Sequence, residues 1–100
     1  MMIFWFVSNI RLFQNNIEIG DCAFYGCTSL VQIFLPHSLK SIGYWAFREC
    51  SSLKQISIPS SVTSIGQNAF VYCSSLERIT VSSILDISDI GLVNTKIKRI

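Results

Sequence analysis

Apolar positions along this chain fall in columns that recur at one fixed period. Ile19-Gly20, Ile42-Gly43 and Ile65-Gly66 set the register. Ala23-Phe24, Ala46-Phe47 and Ala69-Phe70 follow at one offset, then Cys27, Cys50 and Cys73. Leu30, Leu53 and Leu76 come next, then Ile33, Ile56 and Ile79, then Leu35, Ile58 and Val81. Two units share Pro36 and Pro59, followed at equal distance by Leu39 and Val62. Fixed-period self-similarity of this length marks a solenoid.

Each unit carries L-x-x-I-x-I, whose end alternates with period two, so it predicts a short strand with one face inward. The proline ends the strand and opens a turn. A second segment, such as Ser61 to Ile65, returns along another side. Gly43 and Gly66 are expected to relax the backbone at the corner. The Ala-Phe pair is expected to begin a short helical turn toward the cysteine. One such coil cannot bury its apolar side alone, whereas a stack can. The predicted fold class is a repeat solenoid of short parallel strands, turns and short helical segments, in about four partial or complete coils. Residues 1–100 form one segment: a partial coil at 1–19, coils at 20–42 and 43–65, a degenerate coil at 66–90 and the start of another at 91–100.

Counting back by one period sets Val7, Ile10 and Leu12 on the inward columns and Phe4 on the cysteine column, so the chain enters mid-coil. The apolar opening Met1 to Val7 reads as core with Phe4, Trp5 and Phe6 near an open end, rather than as a signal peptide, because no basic residue precedes it. It is also too short to cross a bilayer. No polar cap is visible. At the other end Ser88-Asp89 stand where Ile-Gly is due, and Ile90-Gly91 come late. Asn94 to Ile100 copies the shape of Cys50 to Ile56, which sets Ile100 after Ile79 and brings the next strand two positions early. The chain reads as a slice of a longer solenoid.

Composition then removes function classes. A net charge of +2, with only Lys96, Lys98 and Arg99 grouped, gives no basic stripe for nucleic acid. Cys27, Cys50 and Cys73 lie on one ladder and cannot converge on a tetrahedral zinc. They read as buried thiols. Cys22 lies off the ladder, either as an exposed thiol or as a partner for a bridge. His37, the single histidine, follows Pro36 at a turn, and no nucleophile or orienting acid is placed beside it. The sequence offers no phosphate loop and no N-x-[ST] acceptor. No catalytic residue, cofactor or metal site is expected.

A partner would meet the outward positions of the first strand. These are Asn9 and Arg11, Gln32 and Phe34, Gln55 and Ser57, and Arg78 and Thr80. Solenoids bind through such extended faces. Phe34 would be the anchor, or one stray aromatic on a solvated face. Tyr44-Trp45 replaces the polar pairs of the other coils, as a hot spot or as a cover for the core.

These columns carry a family resemblance. Cys50-Ser51-Ser52-Leu53-Lys54-Gln55-Ile56-Ser57-Ile58-Pro59, with Val62 and Ile65-Gly66-Gln67-Asn68-Ala69-Phe70, resembles the BspA-like leucine-rich repeat consensus. Cys27 to Phe47 is similar, with His37 and Leu39 as departures. The likeness covers Val7 to Cys73, and more loosely Ser74 to Ile100. It implies a non-enzymatic protein-binding or adhesion module, of the kind found on surface proteins of bacteria and parasitic protists. The implied partners are host or cell-surface proteins, and the implied location is the cell surface. The open alternative is a cytoplasmic interaction scaffold, or a fragment with no separate role.

Overall fold

The computed structural model describes residues 8–92 and 96–100. The expectations for Phe4, Trp5, Phe6 and Val7, and for Asn94 and Thr95, lie outside the described residues.

The alternating columns become parallel strands on two sides of a solenoid. One side carries β1 (Asn9–Arg11), β3 (Gln32–Phe34), β5 (Gln55–Ser57), β7 (Arg78–Val81) and β8 (Ile97–Arg99). A second carries β2 (Glu18–Ile19), β4 (Ser41–Ile42) and β6 (Ser64–Ile65). Ile10 pairs with Ile33, Ile19 with Ile42, Ile42 with Ile65, and Ile56 with Ile79, each pair one full period apart. The first side divides into two hydrogen-bonded sheets, β1-β3 and β5-β7-β8. A single longer bond, from the Lys54 N–H to the Val31 carbonyl at 3.3 Å, bridges the seam just before β3 and β5.

The third side is made of turns, and among the described residues no α-helix forms. The expected helical turn fails for a backbone reason. Within a unit, alternate N–H groups bond back along the chain, as from Ala23 to Gly20 and Tyr25 to Cys22. The N–H groups between them bond to the next coil: Phe24 donates to Ala46 at 2.8 Å, and Phe47 to Ala69 at 2.8 Å. An α-helical ladder would need both sets within the unit. Left-handed residues recur in register at Cys22, Trp45 and Asn68, and again at Gly26, Glu49 and Tyr72, and they stop any helix.

The core is continuous along the stack. Phe24, Phe47 and Phe70 are buried and lie ring on ring, with centroids 5.4 and 5.2 Å apart and planes within 12° and 3° of parallel. Cys27, Cys50 and Cys73 are buried free thiols, and the leucine column beside them is buried too. The Cys50 thiol donates to the Phe24 carbonyl at 3.2 Å, and the Cys73 thiol to the Phe47 carbonyl at 3.1 Å. The thiols therefore also join neighbouring coils. Cys22 is a half-buried free thiol, with no bridge to Cys27.

Two sequence expectations change. Gly43 and Gly66 do not serve by adopting a left-handed conformation. A Cβ at Gly43 would stand 2.5 Å from the Asp21 amide nitrogen, and one at Gly66 would strike the Tyr44 backbone. The glycines let one coil's backbone pass close to the coil before it. The last coil is also shorter than expected. Ile79 pairs with Ile97 rather than with Ile100, so the step falls five positions short of a full period instead of two. Ile97 therefore continues the Ile79 column, not the Leu76 column. Arg99 falls opposite Val81 on an inward column, turns outward, and donates to the Ser82, Ser83 and Leu85 carbonyls at 2.9, 3.1 and 3.0 Å. That is a polar closure over the turn, where the sequence pattern shows none.

Candidate functional site

The strand side and the turn side each gather exposed side chains. On the strand side, inward isoleucines fix their neighbours outward by alternation. Arg11, Gln32 and Phe34 line a shallow depression of about 450 Å³ with Gln55, Ser57, Arg78 and Thr80. Seven of the eight outward strand positions thus share one surface, and Asn9 at the start of β1 does not line it. The depression runs across the seam between β3 and β5. Phe34 is 41% exposed, and the Arg11 guanidinium carbon lies 4.6 Å from its ring centroid. The arginine covers one part of the phenyl ring and leaves the rest to solvent. His37 and Gln14 complete the rim.

Trp45, the other aromatic expected to meet a partner, lies elsewhere, on the turn side. It is half-buried, edge-on to Tyr25 at 6.0 Å and to Tyr44 at 5.8 Å. The Arg48 guanidinium stands 4.4 Å from the Trp45 ring, 5.0 Å from Tyr72 and 5.7 Å from Tyr25. Its Nε donates to Glu49 Oε2 at 3.3 Å, and the Tyr25 hydroxyl donates to the same oxygen at 3.3 Å. Partial desolvation draws the Arg48 pKa down, but the bonds to Glu49 and Tyr25 outweigh it and the net direction is up. The repeat alignment does not single out Arg48, because the aromatic residues it joins occupy different columns. Tyr25, Arg48 and Val71 share one column and Gly26, Glu49 and Tyr72 the next, so neither column has a common residue type from which a departure could be read.

Among the described residues no group of three or more His, Cys, Asp or Glu is arranged to hold a metal ion. Burial pushes the Cys27 thiol up. Burial, reinforced by the neighbouring thiols, pushes Cys50 far up, and burial raises Cys73 to about 11. Such thiols are poor nucleophiles at neutral pH. Among the described residues no helix is long and apolar enough to cross a membrane.

Parallel strands that repeat at one step from β1 to β7, an aromatic ladder and a cysteine ladder define a leucine-rich repeat solenoid. Residues 5–100 match the model of the BspA type leucine rich repeat region, and the chain belongs to that family. The crystal structure of a leucine rich cell surface protein from Faecalibacterium prausnitzii superposes with a TM-score of 0.73 at 34% identity. That match covers 82% of this chain and 22% of the other, so the chain spans about a fifth of that relative's length. Among curated proteins the comparison finds no match. The chain is a BspA type leucine-rich repeat module.

Proposed function

We propose that this module binds a partner protein through its strand side, with Phe34 as the anchor, and does no chemistry of its own. The observation that carries this is the gathering of Arg11, Gln32, Phe34, Gln55, Ser57, Arg78 and Thr80 along one depression. A part-exposed aromatic ring amid hydrogen-bonding side chains has the composition of an interface centre with a polar rim. The cell-surface description of the Faecalibacterium relative supports a role in adhesion at a cell surface.

The test is binding of the immobilised chain to a panel of extracellular-matrix and epithelial surface proteins. Phe34→Ala is expected to weaken the positive interactions at least tenfold and leave thermal unfolding unchanged. Equal binding by the variant would remove the strand side from the reading. Protease shaving of intact cells separates adhesin from internal scaffold, since complete protection of the endogenous protein would exclude surface display.

A further inference from the structure

Charge is not spread evenly around the coil. The strand side carries Arg11, Arg78 and Lys98 on outward positions of β1, β7 and β8. No carboxylate lines its depression. The acids sit elsewhere. Asp21 accepts the Tyr44 N–H, Glu49 is paired with Arg48, and Asp86 accepts the Ser88 N–H. Glu77 precedes β7 at the margin, next to its equivalent Lys54. Among the described residues Arg48–Glu49 is the only ion pair. Among those residues, therefore, Arg78 and Lys98 have no acidic partner, and Arg11 has only the Phe34 face.

Between the arginines lie amides and hydroxyls: Gln32, Gln55, Ser57 and Thr80. These complement a hydrogen-bonding ligand but do not pair its charge. Arg11 and Arg78 are three coil steps apart along the stack and two residues apart along the strand, because Arg11 is opposite Phe34 while Arg78 is opposite Gln55. At ~4.8 Å per step they are separated by roughly 14 Å by ~7 Å, about 16 Å on the diagonal. An extended peptide rises ~3.3 Å per residue, so a stretch from i to i+4 spans about 13 Å, and the reach of the long arginine and glutamate side chains closes the remaining ~3 Å. Alternate side chains of that peptide point the same way. Carboxylates at i and i+4 would reach the two arginines, and residue i+2 would meet the exposed part of Phe34. A sulfated glycan is a poorer match, because the two arginines that flank the depression, Arg11 and Arg78, stand at opposite ends of it rather than clustered.

We propose that the strand side recognises an extended acidic segment of a partner protein, with carboxylates at i and i+4 set on Arg11 and Arg78 and an apolar residue at i+2 against Phe34. This rests on the strand-side reading above and names the chemistry of its partner.

The experiment is an amide NMR titration of the full chain with the capped peptide Glu-Thr-Val-Thr-Glu. Shifts are expected along β1, β3, β5 and β7. Arg11→Gln and Arg78→Gln should each weaken binding at least fivefold without changing the unfolding midpoint, because both side chains are exposed. Thr-Glu-Val-Glu-Thr, with its carboxylates closer together, should bind at least threefold more weakly. Absence of shifts, equal affinity of the two peptides, or indifference to both arginine variants overturns the proposal. Tighter binding of a heparin-derived oligosaccharide than of either peptide also overturns it, in favour of a glycan. If the peptide fails while Phe34→Ala still abolishes binding to a matrix protein, the acidic segment falls and the strand-side reading stands. If both fail, both fall.

Discussion

Between the middle coils the chain advances a full period from strand to strand, from Gln55 to Arg78. Between the last two it advances only from Ile79 to Ile97, five positions less. The missing positions are lost in stages. The Leu85 N–H donates back to the Ser82 carbonyl, the counterpart of Val62 to Pro59, so the period holds to Leu85. At the next corner Asn68 bonds Asp89, one position short of the reach from Trp45 to Gln67. Phe70 then bonds Ile90, two positions short of the reach from Phe47 to Ala69. The rest drop out before Ile97. Through all this the strand pairing stays parallel, and the inward side of β8 changes from aliphatic to Ile97 and Arg99. The difference teaches that the stack tolerates a shortened turn side while strand pairing continues, though the aromatic ladder ends at Phe70.

The largest expected effect would test the middle of that ladder. Phe47 has a ring on each side and no exposure. Phe47→Ala should cost about 3–5 kcal/mol by opening a cavity the flanking rings cannot fill. Ile97→Ala, on the partly buried last strand, should cost less than about 1.5 kcal/mol, since less apolar area leaves water there. Denaturant unfolding of the two variants checks the contrast, and equal losses would break it.

Next is Gly66→Ala, which sets a methyl against the Tyr44 backbone. Overpacking of this kind costs about 1–3 kcal/mol, read as a lower unfolding midpoint.

Arg99→Ala sharpens the other side of the comparison. Removing a donor from three carbonyls should cost about 1 kcal/mol. Hydrogen exchange should speed in β7 and β8 and stay unchanged in β2 and β4.

The last effect is on pH dependence and vanishes at neutral pH. The folded Cys73 thiol titrates at about 11, against 9.0 for an unhindered thiol. The unfolded chain therefore releases its proton first as pH rises. Stability held by the neutral thiol is full below pH 9 and is lost between 9 and 11. Cys27 and Cys50 act in the same direction. Cys73→Ala should flatten the fall in unfolding midpoint across that window, and an unchanged slope would count against burial as its cause.

Much of this was legible in the chain, because identical columns impose identical neighbours. The pairs Ile10 with Ile33 and Ile56 with Ile79 follow from spacing alone. So does the buried cysteine ladder. The turn side was not legible. Trp45, Glu49 and Tyr72 are left-handed without being glycine, and the Trp45 and Glu49 N–H groups bond to the next coil at Gln67 and Val71. The last register was misread because Ile97 suits both the Leu76 and the Ile79 column. Local likeness could not choose between them, and the shortened corner did. On the strand side, alternation identified seven outward residues, but the seam between β3 and β5 has no residue signature. Trp45 and Phe34 read alike as surplus aromatics, yet they stand on different sides.

The close approach at Gly43 and Gly66 gives the repeat a grammar with a reading direction. Each coil's glycine is required by the coil before it, not by its own residues. Nothing lies within 4 Å of the place a Cβ would take at Gly20, so that position accepts a side chain until another coil is laid against it. A unit of this kind can therefore be laid behind another like it, and where Ser88-Asp89 replace the Ile-Gly pair the corner comes one position early.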